Sequence, residues 1–331
     1  MKKHITFLNC AMLVVLGAGF FSVSSCEKVP IGYISDQIRY VNDTFRVPRG
    51  TNYKSEPKAF ELDGSNYPIS VKLLEVRDLA TGKPTNVFSE SHEVYIWNAL
   101  FDVNKDTTVA LLNKKRSKQN VPALEIVEKS GQLILNEGSL GIPVGKYAFD
   151  LQVTNGSGTK TFKNIGIIDM MDQPFEDKGG GCAYFIDGTN TSGDIGLPTV
   201  TYKKISDDGY QVRLKVTDKH GTAFNPKLGE LMKRGDRPLF ETYAKFNPVQ
   251  YTDTTMICNY ELTPFPILEY PGYGYLMYYR IPSSKVVIDP GVVTNPKPGE
   301  TYNVNPRWAF RLLVKGTYEV TVKLQKVTRK P

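Results

Sequence analysis

Five tyrosines, Tyr270, Tyr273, Tyr275, Tyr278 and Tyr279, fall within ten residues of the stretch LEYPGYGYLMYYRIP (268–282), beside Pro271, Gly272 and Gly274. A tyrosine ring offers a flat apolar face and a hydroxyl at its edge, the two features that hold a sugar ring. Proline and glycine make a bare, stiff loop from which such faces project. Tyr270, Tyr273, Tyr275 and Tyr278 are therefore candidate ligand-binding residues, with the loop members Tyr270 and Tyr273 foremost. Strand packing is the competing reading, because Tyr275, Met277 and Tyr279 share one face at a period of two. Trp97 and Trp308 lie inside strand-like runs and are expected in the core.

Two oxygen-rich stretches suggest a cation. DGTNTSGDIG (187–196) carries Asp187, Asn190 and Asp194, a set that can hold a structural calcium ion or simply form a hydrated turn. DVNKDTT (102–108) places Asp102, Asn104 and Asp106 like the front of a helix-loop-helix calcium site. Thr107 then stands where glycine is required and Asn113 where glutamate is required, so a polar turn is expected. Apart from this calcium possibility, no cofactor is expected. The chain has three histidines, and SHEVYIW (91–97) has Ile96 where a zinc-protease motif needs its second histidine. No G-x-S-x-G elbow is present. A carboxylate pair for glycoside hydrolysis needs no fixed spacing, and none of the 34 acidic residues is singled out. The chain reads as non-catalytic.

The amino terminus carries chemistry of a different kind. Lys2 and Lys3 precede the uncharged run Cys10 to Phe21, which is about the length of a signal-peptide core and too short to span a bilayer. The run ends at Val23-Ser24-Ser25-Cys26, the pattern of a bacterial lipobox. In such a motif the cysteine thiol takes up diacylglycerol and becomes the new amino terminus. Residues 1–25 are expected to be removed and 26–34 to form a tether lipidated at Cys26. Several buried acyl chains, at about 0.8 kcal/mol per methylene, hold a protein on a membrane without a spanning helix.

Export bears on the two cysteines that remain, Cys182 and Cys258. A bridge between them would close a long loop and stabilise by about 4 kcal/mol; two separate buried thiols are the alternative. The formal net charge of +7 falls to +5 once Lys2 and Lys3 leave, and no basic cluster suits nucleic acid. NKKRSKQN (113–120) reads as a solvated loop, and acidic glycans remain possible partners.

The positioning elements read as strands. KYAFDLQV (146–153) alternates Tyr147, Phe149, Leu151 and Val153 against polar residues, TNGSGT turns the chain, and KTFKNIGII returns. Further strands are expected at 69–76, 107–112, 123–128 and 132–136 in the first half, and at 210–216 and 317–326 in the second. RWAFRLLVKGTYEVTVKL reads as a closing hairpin about Lys315-Gly316. A short helix is expected over NPKLGELMKRGD, with Asn225 as cap and Gly235 as stop. The seam falls at MMDQPFEDKGGGC. The fold class is all-β with two β-sandwich domains, an immunoglobulin-like one over 35–170 and a second over 182–331, joined by a linker at 171–181.

The VSSCEK lipobox, the segment IPVGKYAFDLQVTNGSGTKTFKNIGIID and the β-rich second half together resemble Bacteroidota cell-envelope lipoproteins. The resemblance is to an uncharacterised two-domain β-sandwich family associated with SusC/SusD-type uptake systems. It implies an outer-membrane protein, lipid-anchored at the cell surface. Such a protein captures glycan, or sometimes peptide, for a SusC/SusD-like transporter. A fimbrillin-type structural or adhesion subunit, also lipidated and built of two sandwiches, is the alternative.

Overall fold

The computed structural model describes residues 32–331. Cys26, the 1–25 leader and the start of the tether lie outside the described residues. The chain is almost entirely β, in two sandwiches.

In the first sandwich a four-stranded sheet runs in the order Thr44–Pro48, Gly158–Met171, Gly145–Asn155, Ser70–Asp78. It faces a three-stranded sheet of Tyr53–Lys54, Leu133–Leu135 and Leu124–Ile126. Thr44–Pro48 pairs in parallel with Gly158–Met171, and the other pairings are antiparallel. Seven strands, four over three, meet the immunoglobulin-like expectation. The expected hairpin forms, with Tyr147 opposite Ile168 and Val153 opposite Lys160. Its alternating residues Tyr147, Phe149, Leu151 and Val153 are all buried, packed with Phe45, Leu133 and Leu135.

The hairpin register slips between Phe149 and Leu151. The bulge aims Asp150 at Arg77, whose Nη1 and Nη2 donate to its two oxygens at 2.9 and 2.6 Å. The Asn164 amide donates to the same carboxylate at 2.7 Å. Arg77 holds the Asp150 carboxyl below the usual carboxylate range by this hydrogen bonding, against the opposing effect of burial.

The second sandwich packs two five-stranded sheets. One is ordered Ser192–Gly196, Phe175–Ile186, Tyr302–Leu312, Met277–Arg280, Met232–Lys233. The other is ordered Thr199–Ser206, Gly316–Lys323, Tyr210–Thr217, Met256–Asn259, Gln250–Tyr251. Their inner faces meet in a core that includes Trp308, Phe310, Tyr279, Leu214 and Tyr318. The Tyr279 and Trp308 rings stack at 5.4 Å with 7° between planes. Both sandwiches tie a strand start to the preceding turn with a tyrosine. Tyr147 donates to the Pro143 carbonyl at 2.9 Å, and Tyr318 donates to the Val314 carbonyl at 3.0 Å.

Several expectations are corrected. Most of the 171–181 linker is strand: Phe175–Ile186 pairs with Tyr302–Leu312 from Phe175 opposite Leu312 to Ile186 opposite Tyr302. The glycines mark crowding there, since a Cβ on Gly180 would lie 2.4 Å from the Arg307 carbonyl oxygen. The turn at Lys315-Gly316 does not close a hairpin. It carries the chain across the sandwich, so Tyr302–Leu312 and Gly316–Lys323 lie in different sheets. The expected strand at 107–112 is instead the helix Val109–Asn113, capped by Thr108, whose side chain accepts from the Leu111 amide.

No helix forms over 225–235. The Glu230 side chain accepts the Asn225 amide at 2.8 Å and takes the Arg329 guanidinium at 2.6 and 2.8 Å, which folds the segment into turns. Cys182 and Cys258 are both free and buried, in the two different sheets. Facing sheets usually stand about 10 Å apart, beyond the roughly 7 Å that a disulfide spans between Cα atoms. Burial pushes both thiols up to about 12.

Candidate ligand-binding groove

The strand Ser91–Trp97 pairs with Arg116–Pro122 as a separate two-stranded ribbon, with Trp97 opposite Arg116 and Tyr95 opposite Lys118. A two-stranded ribbon cannot bury both faces. Val94 and Arg116 are its buried residues, and Trp97, expected in the core, is 40% exposed. The ribbon leans over the three-stranded sheet of the first sandwich and meets the 262–267 loop of the second. Between them run two adjoining cavities that share Asn52, Tyr95, Trp97 and Thr263. The larger holds about 600 Å³ and the smaller about 140 Å³. Tyr53, Tyr95 and Trp97 line the larger one, and Phe101 closes the smaller one beside Trp97 at 5.9 Å between centroids. Lys54 and Glu125 reach the larger cavity from exposed positions.

The walls are fixed from below. Arg116 belongs to the stretch that reads as a solvated loop, yet it is buried. Its Cζ lies 4.0 Å from the centre of the Tyr95 ring, and this cation–π contact sets the ring. Its Nε donates to Asn113 Oδ1 at 2.8 Å, and Nη1 donates across the junction to the Glu261 carbonyl at 3.2 Å. The Glu261 carboxylate stands 3.7 Å from Nη2. Tyr210 of the second sandwich donates to Glu137 Oε2 at 3.1 Å. Burial first, then that glutamate, push the Tyr210 hydroxyl up, so it stays protonated and donating. Asn52 donates to the other Glu137 oxygen at 3.4 Å. Both sandwiches thus hold the groove in one shape, and aromatic rings held in a preformed cleft suit stacking on a flat ligand.

The tyrosines singled out in sequence lie elsewhere, on and beside the outer face of the Met277–Arg280 strand. Tyr278 is buried on that face, and Tyr273 meets it edge-on at 5.5 Å. Tyr270 stands 6.0 Å from Tyr273, its amide donating to the Gly274 carbonyl. Tyr275 stands apart from them under Arg311, at 4.8 Å. Met277 and Tyr279 point into the core.

The oxygen-rich stretches are held by protein hydrogen bonds. Asp187 accepts from Asn303 Nδ2 at 2.6 Å and Thr301 Oγ1 at 2.7 Å, and Asp194 sits in a strand opposite Ala183. Asn190 lies in the exposed turn between these strands. Protein donors from Thr301 and Asn303 thus hold the Asp187 carboxylate. Asp106 accepts from the Asp102 amide and from Lys115 at 2.8 Å, which closes the other oxygen-rich stretch as a turn. Among the described residues no group of three His, Cys, Asp or Glu side chains converges, and no helix is long and apolar enough to cross a membrane.

A further cavity of about 330 Å³ lies beside the Val286–Ile288 strand. Its one aromatic residue, Tyr302, commits its hydroxyl to Glu300 at 2.6 Å. Sequence reasoning missed the groove because Trp97 reads as a core residue of a strand-like run, and Tyr53 and Thr263, which complete the walls, lie far from it in the chain; the available signal was Tyr95, Trp97 and Phe101 within seven residues. No family model matches the chain, and no curated protein is similar to it.

Proposed function

We propose that this protein is a lipid-anchored outer-membrane protein that captures saccharide at the cell surface, without altering it, for a SusC/SusD-type transporter. The half-exposed Trp97 carries the reading, seated with Tyr53 and Tyr95 along a groove of about 600 Å³. Aromatic faces with amide and charged groups at the rim match the apolar faces and hydroxyl edges of pyranose rings. Ties across the domain junction lower the cost of ordering the site on binding. The lipobox at Cys26 supports the anchor, and the resemblance to transporter-associated lipoproteins supports the partner.

The test is to tag the carboxyl terminus, extract the native outer membrane gently in detergent and identify what accompanies the protein. A SusC/SusD-like pair in stable amount is expected. A ladder of self-associated chains would point to a fimbrillin-type subunit instead, and recovery of the protein alone would remove the transporter from the account.

A further inference from the structure

Four guanidinium groups gather over the outer face of the sheet that contains Phe175–Ile186, Tyr302–Leu312 and Met277–Arg280. Arg307 stands opposite Gly181 on one side and Tyr278 on the other. Its guanidinium lies flat on Gly181, where a Cβ would come within 3.0 to 3.1 Å of three of its atoms. Arg234 reaches over the face, with Cζ 4.7 Å from the Phe185 ring and 6.0 Å from the Tyr278 ring. Arg237 stands 5.3 Å from Tyr278 and 5.4 Å from Tyr273. Arg280, the next residue but one after Tyr278, directs Nε to Asn305 Oδ1 at 3.4 Å.

None of the four has a carboxylate within 4.0 Å among the described residues. Arg39, Arg49, Arg77, Arg116, Arg311 and Arg329 all do. Asp187 is near Arg280, but its oxygens accept from Asn303 and Thr301. Asn303 in turn accepts from Asn305 at 2.6 Å, and Arg237 Nη1 donates to the Tyr273 hydroxyl at 3.4 Å, so the neighbouring groups give the guanidiniums single neutral acceptors and no matching oxyanion. Burial first, then Arg237, Arg280 and Arg307, pull the Arg234 proton affinity down, as expected of like charges crowded without a counter-ion. Rings beneath the cations fix their planes, and planar forks recognise oxyanions in bidentate fashion.

We propose that this face is a second binding site, taking the oxyanion groups of an acidic saccharide, either uronate carboxylates or sulfate esters. The oxyanion follows from the unpaired guanidiniums alone; that a saccharide bears it rests on the capture reading. The site is separate from the groove, so the two fail separately.

The test uses the whole mature chain with heparin-derived oligosaccharides, oligogalacturonate and a neutral cello-oligosaccharide, by calorimetry at low salt. At least one acidic ligand is expected to bind more tightly than the neutral one and to be displaced by sodium sulfate. The pair Arg280→Ala with Arg307→Ala, both at exposed positions, is expected to weaken it about tenfold or more with an unchanged Tm. Arg307→Lys should recover only part of the loss, because an ammonium lacks the fork. Acidic ligands bound no better than the neutral one, or bound by the double variant within about twofold of the original, would overturn the proposal. So would binding confined to vesicles of anionic phospholipid. Loss of neutral-ligand binding in a Trp97 variant, with the acidic ligands indifferent to the arginines, would reject this site and leave the groove standing.

Discussion

Trp308→Ala is expected to cost the second sandwich about 3–5 kcal/mol, read as a lower urea midpoint with an unchanged slope for that transition. Trp308 is fully buried, stacked on Tyr279 and surrounded by Met277 and Phe310 from its own sheet and residues of the facing one. Removing the indole leaves a cavity that close-packed strands cannot collapse to fill. Trp308→Phe separates packing from hydrogen bonding. The indole Nε1 is buried without a hydrogen-bond partner among the described residues, an arrangement that itself costs roughly 1–3 kcal/mol. Phenylalanine sheds that unsatisfied donor while giving up some volume, so its loss should stay under about 1.5 kcal/mol. Equal losses for the two variants would mean that the indole N–H, which both remove, is a satisfied donor and sets the stability here in place of ring volume.

Arg77→Ala is expected to destabilise the first sandwich by about 3 kcal/mol at pH 7, because it strands the Asp150 carboxylate in the bulge. The Asp150 side chain is 8% exposed and that of Arg77 20%. Since Arg77 depresses the Asp150 pKa in the folded state, the stabilisation is fully present above the unfolded carboxylate value of about 3.9. It fades as pH falls through the lower, folded value. The gap between the original protein and Arg77→Ala should therefore be widest near neutrality and narrow below about pH 4. Urea unfolding followed from pH 7 to pH 3 reads this directly. A gap that stays constant over the range would assign the loss to packing of the arginine stem.

The hairpin of the first sandwich was legible because local and tertiary signals agree there. Tyr147, Phe149, Leu151 and Val153 alternate, a turn sequence follows, and all four side chains are buried. The linker reading failed at Gly180 and Gly181, where glycine reports a close approach to Arg307 from the neighbouring strand, a contact more than a hundred residues away in sequence. The closing hairpin failed for a related reason. A turn at Lys315-Gly316 sets where the chain reverses, not which sheet the next strand joins. The 225–235 helix lost to the Glu230 side chain and its distant partner Arg329. Trp97 alternates like a core residue, and only the isolation of its ribbon puts it in the groove. The aromatic run at 268–282 was visible as unusual, but its arginine neighbours Arg234, Arg237 and Arg307 come from other segments.

The measurement that bears most directly on the capture reading is saccharide binding to the mature chain and to its Trp97→Ala form, across a panel of neutral and acidic oligosaccharides. Trp97 is exposed enough for alanine to leave folding nearly intact, while an aromatic anchor in a cleft contributes on the order of 2 kcal/mol to binding. At least one oligosaccharide is expected to bind, with affinity falling about thirtyfold in Trp97→Ala at an unchanged Tm. A bound oligosaccharide whose affinity does not change when Trp97 is removed would contradict the groove, and a chain that binds none of the panel would contradict saccharide capture.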